Sequence, residues 1–131
     1  MIGLDTNVLV RYLTQDDSAQ ARKAEAVIDG AVARRERCVL GPVVLCELVW
    51  VLRDAYDTPK AQIVDVLDRI LGTQQFEIGD RARVREALEE YRAGGGDFAD
   101  YLIGAANRAA GCDETVTFDR SLRGATGFRL L

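Results

Sequence analysis

The chain has 131 residues, 48% hydrophobic and 29% charged, which supports one ordinary core and is too short for two. A formal net charge of −4 argues against binding by bulk positive charge, and the absence of histidine removes the commonest general base and transition-metal ligand. Three scattered cysteines suggest neither a disulfide framework nor a zinc site; no apolar run spans a bilayer, and the opening residues do not make a signal peptide, so a single cytoplasmic domain over residues 1–131 is expected, with no membrane contact.

The run Met1-Ile2-Gly3-Leu4 is apolar and stops at Asp5, after which Val8, Leu9, Tyr12 and Leu13 recur at helical spacing. This predicts a buried strand that turns directly into a helix, the first half of a β-α unit. Ligands in open α/β sheets sit at the carboxyl ends of strands, and Asp5 stands at such an end, although Asp is also an ordinary helix N-cap. Asp16-Asp17-Ser18 offers a cap for a helix with Ala21, Ala24, Ile28 and Ala31 on its inner stripe, closed by Arg34-Arg35-Glu36-Arg37. Cys38-Val39-Leu40 is a second strand, and Gly41-Pro42 opens a third helix. Ile63, Val64, Leu67, Ile70 and Leu71 make a fourth after Thr58-Pro59, Phe76-Glu77-Ile78 a short strand, and Asp80 to Tyr91 another helix. Gly94-Gly95-Gly96 is expected to be a flexible joint. Asp97 to Ala110 forms an alanine-rich helix ended by Gly111, Thr115-Val116-Thr117-Phe118 a strand, and Phe128 to Leu131 a last one. Strands alternating with helices at these spacings predict an α/β fold with a parallel, doubly wound sheet and no domain boundary.

The acids are set into this frame in a pattern. The segment from Val43 to Leu52 is apolar on every face of a helix, which predicts burial on the sheet or in an oligomer contact, and Glu47 is its only charge. A buried carboxylate without a partner costs several kcal/mol, so Glu47 needs a cation, a set of hydrogen bonds or a route to solvent. Pairing with one of the many arginines would serve as well. Asp97 and Asp100 stand three apart in a first helical turn, where capping explains one of them. Asp119 ends a strand as Asp5 does. Four or five such carboxylates on the carboxyl edge of one sheet would repel strongly unless a divalent cation lay among them, and an all-oxygen set suits Mg2+ or Mn2+.

These residues carry a resemblance. The opening Leu4-Asp5-Thr6-Asn7-Val8-Leu9, Glu47 within Val44-Leu45-Cys46-Glu47-Leu48, Asp97-Phe98-Ala99-Asp100-Tyr101-Leu102 and Val116-Thr117-Phe118-Asp119, in this order, resemble the PIN-domain ribonucleases, in particular the VapC toxin type of type II toxin–antitoxin pairs. Each motif is short; together they cover essentially the whole chain. The resemblance implies a three-layer α/β/α fold with a small parallel sheet, a homodimer, an RNA substrate, a small VapB-like antitoxin partner, and hydrolysis of phosphodiester bonds assisted by Mg2+ or Mn2+. It places the four acids at Asp5, Glu47, Asp100 and Asp119, with Asp97 beside the third. Asp5 and Asp100 are then the direct metal ligands, and Glu47 and Asp119, with Asp97, hold metal-bound waters or a second ion. Thr6 and Asn7 are expected to orient Asp5, and Thr117 to orient Asp119, although turn and cap chemistry accounts for these three equally well. A phosphatase of the HAD type also opens on an Asp at a strand end, but needs a second Asp where this chain has Asn7. A receiver domain needs a Lys after a late strand, and neither Lys23 nor Lys60 is so placed. A catalytically silent module that keeps the fold as a binding surface is the remaining alternative, against which stands the presence of all four acids.

Overall fold

In the computed structural model, which describes residues 1–131, the chain divides into two units, Met1–Gly79 and Asp80–Leu131. The first runs β1 (Ile2–Gly3), α1 (Thr6–Thr14), α2 (Ser18–Ala33), β2 (Cys38–Leu40), α3 (Pro42–Asp54), α4 (Lys60–Leu71) and β3 (Phe76–Ile78). Its strands pair in parallel in the order β1-β2-β3, with Ile2 opposite Cys38 and Cys38 opposite Phe76. Ladder bonds extend past these short strands: Leu4 N–H donates to Val39 O at 3.0 Å and Cys38 N–H to Gln75 O at 2.9 Å. A strand paired on both edges and covered by helices reads as a continuous apolar run, and in β2 Cys38 and Leu40 are wholly buried. Leu45, Leu48 and Val49 of α3 and Ile63 and Leu67 of α4 complete this core, each side chain contributing about 1.5–3 kcal/mol by leaving water.

The caps follow the residue pattern. Asp17 accepts the Gln20 N–H at 3.0 Å to start α2, whose buried stripe is Ala21, Ala24, Ile28 and Ala31 as predicted. Pro42 sits in the first turn of α3, where its missing N–H costs nothing. Beyond the end of α1, Asp16 accepts hydrogen bonds from Arg11 Nη1 at 2.9 Å, Thr14 Oγ1 at 3.0 Å and Tyr56 Oη at 2.5 Å, and these donors hold its carboxyl down at about 2.

The apolar segment of α3 is only partly covered within this unit. α3 is not enclosed on every side: Leu45, Leu48, Val49 and Leu52 are buried, but Val43, Glu47 and Trp50 are exposed. Positions 43, 47 and 50 share a face at one-turn spacing, so the helical period turns them outward together while the opposite stripe takes the core. Glu47 is therefore a solvated carboxylate, and the desolvation argument for a counterion does not apply to it.

The second unit contains α5 (Arg81–Ala93), α6 (Phe98–Ala109), β4 (Thr115–Thr117), a 3-10 turn (Arg120–Leu122) and β5 (Phe128–Leu130). β4 and β5 pair in parallel, Thr115 opposite Phe128 and Thr117 opposite Leu130. α5 and α6 are tied by Arg108, whose Nη2 donates to Glu86 at 2.9 Å and to Glu90 at 2.7 Å. The ring of Tyr91 meets that of Phe98 edge-on at 6.0 Å, and Tyr101 meets Phe128 likewise at 6.3 Å.

Between α5 and α6, Gly94-Gly95-Gly96 is a packed element and not the slack joint expected of it. A Cβ on Gly94 would collide with the Tyr101 hydroxyl and one on Gly96 would stand 2.5 Å from Leu122 Cδ2, and the Gly96 N–H donates to Tyr101 Oη at 3.0 Å in a buried bond. These two glycines are there for close approach of backbone to side chain. The fold class is thus the expected α/β one, built on small parallel sheets covered by helices. No helix is long and apolar enough to cross a membrane.

Candidate functional site

Parallel pairing puts the start of α1 and the start of α3 at the same edge of the first unit's sheet, because each helix follows directly on the carboxyl end of its strand. Asp5 is the N-cap residue of α1, and Glu47 lies in the second turn of α3. Asp5 has the extended backbone of a cap, φ −78° and ψ 157°, but its side chain makes no cap hydrogen bond. Its carbonyl takes the Val8 N–H at 3.1 Å and the Leu9 N–H at 3.3 Å, so the exposed carboxylate is left without a structural duty. Thr6, immediately after it, is only 4% exposed, and its Oγ1 is buried with no hydrogen-bond partner. Asn7 is exposed and lines a cleft of about 290 Å3 between α1 and α2, together with Arg11, Gln20 and Lys23.

The second unit brings three acids into one field. Asp97 is the N-cap of α6 and Asp100 its third residue, and they close a capping box in which the Asp97 N–H donates to Asp100 Oδ2 at 3.1 Å. Capping therefore engages both positions, where the sequence pattern accounted for one. Burial pushes the Asp100 carboxyl above its ordinary value; the Asp97 N–H pulls the other way, and the charges of Asp119 and Asp97 push it further up. Asp119 caps the 3-10 turn: its Oδ1 accepts the Ser121 hydroxyl at 2.7 Å and the Ser121 N–H at 2.9 Å, and these donors lower its carboxyl below the usual range. Thr117 Oγ1 accepts the Asp119 N–H at 3.0 Å, so it steadies the backbone of Asp119 and does not touch the carboxylate.

Two contributors escape the sequence pattern. Ser121 follows Asp119 at the spacing of an Asx turn, a signal that was available. Tyr101, whose hydroxyl anchors the Gly96 N–H just before Asp97, reads in the sequence as one more apolar position of α6.

No three Asp, Glu or Cys side chains within either unit are drawn together as a ready metal cage. The donor chemistry nevertheless fits a hard divalent cation. Asp5 is free of capping, Asp100 carries its charge against burial and against two neighbouring carboxylates, and every ligand is oxygen. A cation would relieve the field at Asp100.

The family model for the PIN domain matches residues 2–127. The chain is 27% identical over 120 residues to the VapC ribonuclease of Aquifex aeolicus (strain VF5), an alignment that covers 92% of this chain and 88% of the relative. No solved structure matches.

Proposed function

The chain belongs to the PIN-domain family, and from that premise we propose that it is a Mg2+- or Mn2+-dependent endoribonuclease, the toxin member of a VapBC-type pair. The observation that carries this reading is the state of the acids: Asp5 has no capping duty, and Asp100 is held in a negative field that favours a bound cation. Residues 1–131 act as one nuclease domain in the cytoplasm. A bound divalent ion supplies a polarised phosphate, an activated water and compensation for charge on the leaving oxygen. Asp5 and Asp100 hold it directly, with Asp97, Glu47 and Asp119 as outer or second-ion ligands. Asp119, its Oδ1 engaged by Ser121, keeps Oδ2 open to accept the proton of the attacking water; the solvated Glu47 is the other base within the set. Thr117 fixes the chain at Asp119, whereas Thr6, whose Oγ1 has no hydrogen-bond partner, does not hold Asp5 as expected, and Asn7 stands exposed beside it.

RNA is the substrate, and the partner is a small VapB-like antitoxin that neutralises by setting a guanidinium among the acids, where it takes the place of the metal charge and blocks phosphate. Trp50, 40% exposed one turn beyond Glu47 on α3, contributes to a homodimer contact that leaves Glu47 open. Incubation with single-stranded RNA tests the reading. Cleavage is expected in Mg2+ or Mn2+ and not in EDTA; cleavage that persists in EDTA overturns it.

A further inference from the structure

We propose that Phe118, with Arg120 and Arg123, forms a platform that stacks a base of single-stranded RNA next to Asp119, an inference that rests on the ribonuclease reading above. Phe118 is 81% exposed, more than any other large hydrophobic side chain of the protein. Single exposed apolar residues are ordinary, so exposure by itself carries little. The weight comes from what surrounds the ring in the chain.

Phe118 lies between two fixed residues. The Thr117 carbonyl accepts the Leu131 N–H at 2.8 Å, Thr117 Oγ1 accepts the Asp119 N–H at 3.0 Å, and Asp119 is bound twice by Ser121. The ring is thus presented by an ordered segment, and little freedom remains to be lost when a ligand binds. Arg120 and Arg123, on either side of Leu122, are exposed and enter no ion pair. Elsewhere in this unit Arg108 is paired with Glu86 and Glu90, and Arg129 with Glu114. Two uncommitted guanidinium groups beside an exposed aromatic ring match the two needs of a single strand: cations for the backbone and a flat apolar face for a base. They also offset the repulsion that Asp119 exerts on phosphate. A protein partner fits less well, because covering the ring would desolvate these charges without offering them phosphate. Duplex is excluded as the occupant, since its bases are already stacked on one another.

The test uses the whole protein, Mg2+, and short single-stranded RNAs carrying 2-aminopurine at each position in turn. In the wild type, fluorescence is expected to be quenched at one position flanking the cleaved bond. Phe118→Ala is expected to abolish that quench and raise KM about tenfold with kcat within about twofold, and Phe118→Trp to restore both. Arg120→Gln and Arg123→Gln are each expected to raise KM and reduce its dependence on salt. Thermal melts of Phe118→Ala should match wild type, as befits an exposed side chain. Unchanged KM and quench in Phe118→Ala overturn the platform and leave the ribonuclease reading standing. A changed sedimentation mass or lost antitoxin binding with unchanged KM assigns the ring to a protein contact and also overturns it. Absence of cleavage by the wild type in both Mg2+ and Mn2+ defeats the ribonuclease reading itself, so the two failures appear in different proteins.

Discussion

Asp5 in the first unit and Asp119 in the second occupy the same local situation and do different things. Each follows a parallel strand, each has extended backbone, and each is the N-cap of the helical turn that comes next. Asp119 spends one carboxylate oxygen on Ser121, whereas at Asp5 the backbone carbonyl satisfies Val8 and Leu9 and the side chain is left over. Backbone position therefore does not tell a capping acid from an available one; the hydrogen bonds around it do. The buried, unpartnered Thr6 Oγ1 beside Asp5 has no counterpart at Asp119, where each nearby hydroxyl is engaged. At Asp5 neither carboxylate oxygen makes a cap bond, whereas at Asp119 one of the two is spent on Ser121.

Substitutions rank by how sharply they divide these roles. The largest expected effect is on activity. Asp100→Asn removes charge from the buried member of the second unit's acids while retaining an oxygen that can accept the Asp97 N–H, so RNA cleavage should fall by more than about 100-fold and stabilisation by millimolar Mg2+ should disappear. In EDTA the same variant should melt no lower than wild type, because neutral Asn escapes both the burial penalty and the repulsion from Asp119 and Asp97. A variant that melts clearly lower in EDTA and still gains from Mg2+ would make Asp100 a cap and nothing more.

Next comes the packed glycine turn. Gly96→Ala should cost about 1–3 kcal/mol in denaturant unfolding, since its Cβ would stand 2.5 Å from Leu122 Cδ2, whereas Gly95→Ala, with 3.5 Å to the Ser121 carbonyl, should stay within about 0.5 kcal/mol of wild type. Equal effects would return the segment to the role of a loose joint.

A smaller effect divides Asp5 from Asp119 directly. Asp119→Ala should lose about 1 kcal/mol of stability with its cap bonds, and Asp5→Ala should change stability by less than about 0.5 kcal/mol, both measured without metal. Comparable losses at the two positions would erase the distinction drawn between them.

The smallest effect concerns Asp16, an acid committed wholly to structure. The Tyr56 hydroxyl is the largest cause of its depression to about 2, with Thr14 and Arg11 adding to it. Because the folded value lies below the ordinary 3.8, its stabilising contribution is present above that value and is lost as pH falls from there through about 2. An NMR titration should locate the Asp16 carboxyl near 2 and find it moved upward in Tyr56→Phe. An unshifted carboxyl in the wild type would break the assignment.

The order of elements, their parallel alternation and the placing of Asp5, Asp17, Asp97 and Asp119 at element boundaries were legible in the sequence. Periodicity, turn chemistry and capping act over a few residues, and those residues are adjacent in the chain. So was the likeness to the PIN family, because its four short motifs keep their order along the chain. Three things were not legible. Glu47 sits in an apolar segment that hides which face turns to solvent, and only packing against α1 and α4 chose the face holding Leu45, Leu48 and Val49. The glycines before Asp97 read as slack until the Tyr101 ring and Leu122 were seen against them. Whether an acid at a boundary caps its helix or stays available depends on which donors reach it: at Asp119 the nearby Ser121 could have been read as a cap, whereas at Asp5 only the folded geometry shows the side chain left without a cap bond.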